Sequence, residues 1–440
     1  MSDHRSDRRD FLKKSAALAA AGTALATLDP GTVQAAEAWT LPQAARPGRR
    51  PHTAEPVRIG IIGAGGMGTE HARAFQRLTA AGTTDVQVAV LCDVCVPRLE
   101  AAGQALRKEG AHYDFRYCTD YRELLRDASL QGVLIATPEH WHARMGADAI
   151  RAGKDVYIEK PMTLRHEEAF RLRDVAAAHP ERIVVIGTQY VMYSSYIDAQ
   201  RLIAEGKIGK PVFSQTSYCR NSKDGEWLYY EIDPAWQPGV NLDWSAWTGP
   251  LGRQPWSPEV YARWRRYRKY STGIIGDLLV HRITPLMMAL DVGWPVRVVA
   301  SGGHYVDGAM ENHDQVNINI EFEKGHTMIV AGSTANEVGL ETLIRGHRAN
   351  LYLGGRRLTL RPERIYAEET EEQVIEGEDT GDPQDLLRAQ WIEAIRTRGK
   401  SPSPIDLATQ VMVAVDLASR SMWDGHAYGF DPRKLKARRI

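Results

Sequence analysis

This sequence of 440 residues has few cysteines and few long apolar runs, and its formal net charge is zero. Four cysteines in a chain this long argue against a disulfide framework. After residue 38 no segment approaches the roughly 18 consecutive apolar residues of a membrane span. We therefore expect a soluble mature chain that does not insert into a membrane. Basic and acidic residues balance at 55 each, which argues against nucleic acid or an anionic membrane as the main partner.

Residues that commonly hold metals are few and scattered. Cys92 and Cys95 form a C-x-x-C without a second ligand pair, and Cys92 lies in an apolar strand pattern. We interpret these cysteines as inert buried thiols. Four histidines lack ligand spacing, namely His304, His313, His326 and His347. We expect no metal site.

A glycine-rich turn between a strand and a helix is the first positive signal. Residues 57–62 form an apolar run typical of a buried parallel strand, and residues 69–78 have helical spacing. The turn between them has the pattern G-x-G-x-x-G, which binds the pyrophosphate of a dinucleotide at the helix N-terminus. The predicted cofactor-binding residues of the turn are Gly63, Gly65, Gly66, Met67 and Gly68.

An acidic residue follows the second predicted strand, residues 86–91. Asp93 stands where a carboxylate accepts hydrogen bonds from the adenosine ribose and repels a 2′-phosphate. The pattern therefore favours NAD over NADP, although the nearby Arg98 weakens that preference. Together these elements predict a nicotinamide cofactor on a Rossmann domain.

A further strand, residues 132–136, ends in a polar loop before a predicted helix over residues 143–152. Ligands of open α/β sheets bind beyond the carboxyl ends of the strands. We therefore predict that Thr137 and Pro138 face the nicotinamide half of the cofactor. His142 either caps the helix or contacts the cofactor.

Glu159, Lys160 and Pro161 follow the fifth predicted strand. This Glu-Lys-Pro resembles the hallmark of the glucose–fructose oxidoreductase, inositol dehydrogenase and rhizopine-catabolism family (Gfo/Idh/MocA). The resemblance covers nearly all of the chain from about residue 56. It implies that Lys160 reaches the substrate hydroxyl and the nicotinamide ribose, and that Glu159 belongs to the cofactor site.

The second motif of that family is an Asp and a His four residues apart on a helix. Asp277 and His281 match it, and side chains at this spacing share a helix face. The resemblance implies that Lys160, Asp277 and His281 are catalytic, with His281 as general base and Asp277 holding either a substrate hydroxyl or the imidazole. Fewer glycines precede Asp277 than is usual in the family.

Other cleft residues follow from position. Gln189 and Tyr193 lie after the last Rossmann strand, where the family lines its cleft, and we predict cofactor contact for Gln189 and substrate contact for Tyr193. Residues 263–270 are basic and aromatic, and we predict that Arg268 and Tyr270 present a cation and a ring to a polar substrate. The two other interpretations of residues 263–270 are a solvated protein surface and a nucleic-acid-binding surface.

The predicted fold is α/β, with an N-terminal Rossmann doubly wound parallel sheet over residues 56–190 and a C-terminal α/β domain over residues 191–440. The second domain is predicted to hold a large, mostly antiparallel sheet. Its strands are predicted at 212–219, 296–306, 315–323, 327–331, 342–346 and 350–353, followed by helices at 385–398 and 406–422. The resemblance implies a homo-oligomer, a dimer or tetramer, built on the open face of that sheet.

The N-terminus predicts export. Residues 1–38 combine Arg8 and Arg9, a short apolar stretch and small residues, which resembles a twin-arginine (Tat) signal peptide. Residues 39–55 are interpreted as a linker. Beyond the membrane there is no pool of free nicotinamide dinucleotide, so we expect a tightly bound cofactor.

Three functions are compatible with these residues. The first is an exported NAD(P)-dependent oxidoreductase that transfers a hydride between a secondary alcohol of a sugar or polyol and its cofactor. The second is a redox-neutral glycoside hydrolase that oxidises, eliminates and reduces with the same residues. The third is a relic or sensor without catalysis.

Overall fold

The computed structural model describes residues 55–440. The predicted signal peptide, residues 1–38, lies outside the described residues, and so does the predicted linker apart from Glu55. Within the described part of the chain no helix is long and apolar enough to cross a membrane.

The first sheet is parallel and has six strands. They are β1 (Val57–Ile62), β2 (Val86–Cys92), β3 (Arg116–Cys118), β4 (Gly132–Ile135), β5 (Asp155–Ile158) and β6 (Val184–Ile186). Their spatial order is β3-β2-β1-β4-β5-β6. The order reverses between β1 and β4, which opens a crevice at their carboxyl ends. The strands β1, β2, β4 and β5 are almost fully buried, as a sheet covered on both faces requires.

Helices pack around this sheet. They are α1 (Gly66–Ala80), α2 (Val96–Lys108), α3 (Tyr121–Leu125), α4 (Glu139–Arg151) and α5 (His166–Ala177). The helix predicted at 143–152 in fact begins at Glu139, directly after Pro138. Proline at that position has no N–H to lose, so the helix begins there without penalty.

The second sheet has ten strands and is mixed. They are β7 (Pro211–Cys219), β8 (Pro295–Gly303), β9 (Gln315–Phe322), β10 (His326–Ser333), β11 (Leu343–Gly346), β12 (Ala349–Gly354), β13 (Arg357–Pro362), β14 (Gln373–Glu376), β15 (Tyr428–Asp431) and β16 (Lys436–Arg439). The order is β14-β13-β12-β11-β7-β10-β9-β8-β15-β16. Within this sheet only β7 and β10 pair in parallel among the described strands, so the prediction of a mostly antiparallel sheet is confirmed.

Further helices connect and cover the second sheet. They are α6 (Ser194–Ala204), α7 (Trp244–Thr248), α8 (Pro258–Arg263), α9 (Val280–Leu290), α10 (Pro383–Thr397) and α11 (Ile405–Asp424). Short 3₁₀ turns lie at Gln189–Met192, Gly249–Leu251, Trp264–Arg266 and Arg364–Tyr366, and a π-helical turn lies at Ile275–Leu279.

One helix of the C-terminal part returns to the first sheet. The helix α10 packs against α1 and β1, and its Trp391 is fully buried against Phe75 and Tyr157, with ring centroids 6.1 and 5.6 Å apart. The chain therefore adds this helix to the Rossmann layer only after eight of the ten strands of the second sheet, β7 to β14. The domain boundary at residue 190 stays a prediction.

Candidate active site

A cavity of about 1000 Å³ opens at the carboxyl ends of the parallel strands. Its lining runs from the glycine-rich turn after β1 to the π-helical turn Ile275–Leu279 at the edge of the second sheet. A volume of this size is ample for a dinucleotide end and a small substrate together.

The glycines of this turn carry no side chains, which leaves the space that a dinucleotide pyrophosphate needs. A Cβ on Gly68 would lie 1.7 Å from the carbonyl oxygen of Gly63, so only glycine allows α1 to start this close to β1. Gly63 has a φ of +93°, and a Cβ there would lie 2.7 Å from the oxygen of Ala136.

The helix N-terminus completes the phosphate site. The first backbone N–H groups of α1 have no partner within the helix, and Gly65, which precedes it, adds no capping side chain. Gly65, Gly66 and Met67 all line the cavity. This arrangement binds anions without a charged side chain.

Asp93 lies at the adenosine end of the cavity. Its carboxylate accepts hydrogen bonds from the backbone N–H groups of Ala64 and Cys95, at 2.7 and 2.9 Å. Burial raises its pKa, although Arg98 and these bonds oppose the rise. The Arg98 guanidinium packs against the rings of Trp236 and Tyr261, 4.9 and 4.4 Å from their centroids.

Lys160 and Asp277 contact each other at the end of the cavity opposite Asp93. The Lys160 ammonium donates to Oδ1 of Asp277 at 2.8 Å and to the backbone oxygen of Asp277 at 2.7 Å. Nε of Arg265 donates to the same Oδ1 at 2.9 Å. Burial alone would raise the pKa of Asp277, but these two cations outweigh it and hold the pKa far below its usual range. Asp277 is therefore an anion that holds the lysine in place.

His281 lies beside this group with a free ring nitrogen. Burial, and then the charge of Lys160, lower its pKa to about 3, so the imidazole is neutral near pH 7. Its Nδ1 is buried and has no partner among the described residues. The rings of Tyr190 and Tyr218 lie 5.3 and 6.4 Å from the imidazole. The neutral imidazole lines the cavity and carries one nitrogen lone pair that can accept a proton.

The local helix differs from the expected one. Asp277 lies in the π-helical turn and His281 lies in the first turn of α9, yet both side chains line the cavity. A Cβ on Gly276 would lie 2.0 Å from Oγ1 of Thr272, so glycine permits this tight entry. Such π-helical turns are frequent at functional sites.

A buried chain of hydrogen bonds, from Arg388 through His71, holds the Glu159 carboxylate in place. Nε of Arg388, on α10, donates to Nδ1 of His71 at 2.9 Å, so the His71 proton sits on Nε2 and is donated to Glu159 at 2.8 Å. Burial alone would raise the pKa of Glu159, but His71 and then Lys160 lower it to about 2. Glu159 is thus an anion that lines the cavity beside Lys160.

The loop after β4 places two predicted residues in the cavity and one beneath it. Thr137 and Pro138 line the cavity. The buried His142 ring lies 2.7 Å from the backbone oxygens of Thr137 and of Pro161. It neither caps α4 nor lines the cavity; it joins the loop after β4 to the Glu-Lys-Pro loop.

Of the remaining predicted residues only Gln189 lines the cavity. Tyr193 stacks on Tyr190, with centroids 5.0 Å apart, on the side away from it. Arg268 turns outward to donate to the backbone oxygen of Glu311 at 2.7 Å. Tyr270 is buried in an aromatic cluster. Because the 3₁₀ turn Trp264–Arg266 reorients the chain, the structure brings Arg265 to the site in place of these two.

Sequence reasoning missed several cavity residues. They are Trp141, Tyr190, Tyr218, Arg220, Tyr230, Trp264 and Arg265. The basic and aromatic run at 263–270 signalled the correct segment but not which arginine faces inward. Nothing local marked Arg220, because its place depends on the pairing of β7 with β10.

A buried carboxyl also went unnoticed. Glu139 accepts hydrogen bonds from Oγ of Ser271 at 2.5 Å and from the N–H of Thr272 at 3.3 Å, just before the π-helical turn. Burial raises its pKa from 4.5 to about 7. Glu139 therefore links the first sheet to the segment that carries Asp277.

We expect Glu139→Gln to become stabilising relative to wild type as pH rises. A carboxyl with a raised pKa binds more protons folded than unfolded, so between about pH 4.5 and pH 7 the unfolding free energy of wild type falls as pH rises. The difference between variant and wild type grows by about 2 kcal/mol from pH 5 to pH 8. Denaturant unfolding at several pH values measures it. The exposed Glu337→Gln is the control, and a pH-independent difference would contradict the prediction.

One cluster outside the cavity has metal-ligand residues. Ligand atoms of His166, Glu167 and Asp416 lie within 4.8 Å of one another. Arg165 and Arg420 also donate to Asp416, at 3.2 and 2.8 Å. Two guanidinium groups beside one carboxylate repel a cation, so the cluster is an ion-pair network that joins α5 to α11.

The fold and the cavity together define a two-domain, dinucleotide-binding protein. The glycine-rich turn, Asp93 and the crevice between β1 and β4 all belong to one continuous cavity. The family described as "Oxidoreductase family, NAD-binding Rossmann fold" matches residues 57–187, and its "C-terminal alpha/beta domain" matches residues 250–430. The chain belongs to this family, the GFO/IDH/MocA oxidoreductases.

Characterised relatives match only in part. Inositol 2-dehydrogenase 1 of Saccharopolyspora erythraea is 30% identical over 156 residues, 36% of this chain and 44% of that protein. A glycosyl hydrolase family 109 protein of Shewanella pealeana is 27% identical over 240 residues, 51% of this chain and 50% of that protein. The chain thus spans about half the length of these relatives or less.

Solved structures match over most of the chain. An NAD-binding oxidoreductase from Klebsiella pneumoniae has a TM-score of 0.65 at 20% identity, covering 85% of this chain and 99% of that one. Levoglucosan dehydrogenase in complex with NADH and levoglucosan has a TM-score of 0.63 at 18% identity, covering 88% of this chain and all of that one, 100%. At these identities the likeness establishes the shared fold.

Proposed function

We propose that this protein is an exported oxidoreductase that transfers a hydride between a secondary alcohol of a sugar or polyol and a tightly held NAD. The observation that carries the proposal is the meeting of Lys160, Asp277 and His281 at the end of the cavity opposite Asp93. The relatives named for inositol and levoglucosan support a polyhydroxylated substrate.

Each of the three residues has a distinct task. NAD, when bound, supplies the hydride acceptor. The neutral His281 imidazole, which lines the cavity, accepts the proton of the reacting hydroxyl. The Lys160 ammonium stabilises the negative charge that develops on that oxygen. Asp277 fixes Lys160, and its Oδ2, which makes no hydrogen bond to the described residues, accepts one from a second substrate hydroxyl.

A clasp formed by residues 236–250 supports tight retention of the cofactor. Backbone bonds join it to the loop after β2, from Val96 to Asn241 at 2.9 Å and from Asp243 to Val94 at 2.9 Å. The backbone oxygen of Trp247 accepts from both His140 and Trp141, at 2.9 and 2.7 Å. The clasp thus joins the segment after β2 to the start of α4, and Asp243, Ala246 and Trp247 line the cavity. We expect these contacts to slow the release of a bound dinucleotide.

The remaining parts of the proposal concern location and assembly. The residues resembling a twin-arginine signal support export to the periplasm, where a retained cofactor is needed. The helices α9 and α11 pack on one face of the second sheet. The opposite face, which includes Ile329 of β10, supports assembly of a dimer or tetramer.

Cofactor content of the exported protein is the first test. The protein is purified from the periplasm, its mass is measured by light scattering, and the denatured supernatant is assayed for NAD(H) and NADP(H). We expect near-stoichiometric NAD(H) and a dimer or tetramer. We expect no periplasmic protein for the Arg8→Lys, Arg9→Lys double variant.

The variant Trp236→Ala tests the clasp. It loosens the clasp away from the hydride-transfer end, so we expect it to lower the NAD(H) content. A folded protein that neither contains nor binds NAD would overturn the catalytic proposal and leave a relic or sensor.

A redox-neutral glycoside hydrolase is the second candidate, favoured by the likeness to the glycosyl hydrolase family 109 protein. The same protein is incubated with aryl glycosides without any added electron acceptor. Sustained release of the aryl group beyond one equivalent of cofactor would favour the hydrolase. Net sugar oxidation that requires an acceptor would favour the dehydrogenase.

A further inference from the structure

Arg265 has more hydrogen-bonding capacity than the protein uses. Its Nε donates to Asp277, while Nη1 and Nη2 have no hydrogen-bond partner among the described residues. The side chain is 17% exposed and lines the cavity. Two parallel donors on one rigid guanidinium therefore face the space where the substrate binds.

The position of Arg265 is fixed from several sides. Its guanidinium lies 4.2 Å from the ring centroid of Trp264 and 5.9 Å from that of Tyr230. Its backbone oxygen accepts from Nδ2 of Asn312 at 3.0 Å. Because the side chain is already ordered, a ligand loses little entropy in binding to it.

The other cations of this region are occupied. Arg220 is paired with the buried carboxylate of Glu226 at 3.0 Å and also donates to the Tyr218 hydroxyl. The Lys160 ammonium makes both of its hydrogen bonds to Asp277. Arg265 shares that one carboxylate with Lys160, and it has two guanidinium nitrogens without a hydrogen-bond partner among the described residues.

The charged groups at the Lys160 end of the cavity balance one another before cofactor and substrate bind. Lys160 and Arg265 are positive, and Asp277 and Glu159 are negative, so the four groups sum to zero. The oxidised nicotinamide ring adds one positive charge when the cofactor binds. A substrate with a single negative group would restore neutrality in this poorly solvated space.

We propose that the substrate is a sugar acid, a uronate or aldonate, or a glycoside of one, whose carboxylate is held by Nη1 and Nη2 of Arg265. A planar carboxylate matches the two guanidinium donors. Because Arg265 and Lys160 bind the same oxygen of Asp277, the carboxylate and the reacting hydroxyl lie on one short sugar unit. This inference rests on the proposed function and specifies the substrate of that site.

Matched substrate pairs test the inference on the full-length protein with its cofactor. Glucuronate, galacturonate and their aryl glycosides are compared with glucose, galactose and the matching neutral aryl glycosides. The methyl esters of the acids keep the shape and remove the charge. We expect kcat/KM for the preferred acid to exceed that of its neutral partner and its ester by about tenfold or more.

Variants assign the preference to Arg265. Arg265 also contacts Asp277, so Arg265→Gln is read by the acid-to-neutral ratio of kcat/KM, which a general loss of activity does not change. That ratio is expected to fall to near one in Arg265→Gln. It is expected to stay at the wild-type value in Arg268→Gln, three residues away but turned out of the cavity.

Failure of the inference differs from failure of the proposed function. Turnover of neutral sugars with no acid preference would overturn the inference alone. If no sugar is turned over, the proposed function fails, and calorimetry of the cofactor-loaded protein decides the inference. Glucuronate or galacturonate binding more tightly than its methyl ester, with the difference lost in Arg265→Gln, would support it; equal or absent binding would overturn it.

Discussion

Lys160→Met is expected to lower kcat by about 10³-fold while the protein keeps its fold and its NAD(H). The substitution removes the charge that stabilises the reacting oxygen but leaves the phosphate turn and the clasp intact. It also leaves Asp277 with Arg265 as its one cation. The measurement is single-turnover reduction of the resident cofactor by the preferred substrate.

The control for Lys160→Met is Lys269→Met, which removes an exposed lysine that donates to Gln254 at the outer rim. Its kcat is expected to match wild type. Lys160→Met protein that contains cofactor and turns over at the wild-type rate would refute the assigned role. Loss of the cofactor together with activity would instead indicate that Lys160 acts mainly in binding.

Gly68→Ala is expected to cost about 2 kcal/mol of unfolding free energy or more and to reduce cofactor content at least tenfold. The added Cβ would lie 1.7 Å from the Gly63 carbonyl oxygen, a backbone atom that moves only if the turn moves. The phosphate-facing N–H groups of α1 would then be displaced. Thermal unfolding and cofactor release report the two effects separately.

Gly66→Ala is the matched substitution, because a Cβ there meets no atom within 4 Å. It is expected to leave Tm unchanged, whatever it does to the cofactor. If Gly68→Ala keeps both the wild-type Tm and full cofactor content, the close approach of α1 to β1 is not what the turn requires.

The residues that sequence placed well are those fixed by local chain geometry. The glycine turn depends on one strand, one turn and one helix; Gly63, Gly65, Gly66 and Met67 line the cavity, and Gly68 lies behind them against the Gly63 carbonyl. Lys160, Asp277 and His281 were assigned through the resemblance to the family motifs, and the structure brings all three to one cavity even though the turn that carries Asp277 is π-helical.

The residues that sequence placed poorly depend on distant partners or on a single turn. Arg265 and Arg268 are equivalent in a charged run, and the 3₁₀ turn that contains Arg265 decides which one enters the cavity. The contact of Glu139 with Ser271 joins positions 132 residues apart. The four-residue strands β14 to β16 carry charged or exposed residues and lack the apolar alternation that marks the inner ones.

The bond from Arg388 to His71 joins residues 317 positions apart in the chain. During translation, the Rossmann strands emerge long before the helix that carries this arginine. The glutamate next to Lys160 therefore acquires its complete hydrogen-bonded support only when the C-terminal part of the polypeptide has left the ribosome and docked. We therefore expect the hydrogen bonds around Glu159 to form late, and a nascent chain that ends before α10 to form the glycine-rich turn without them.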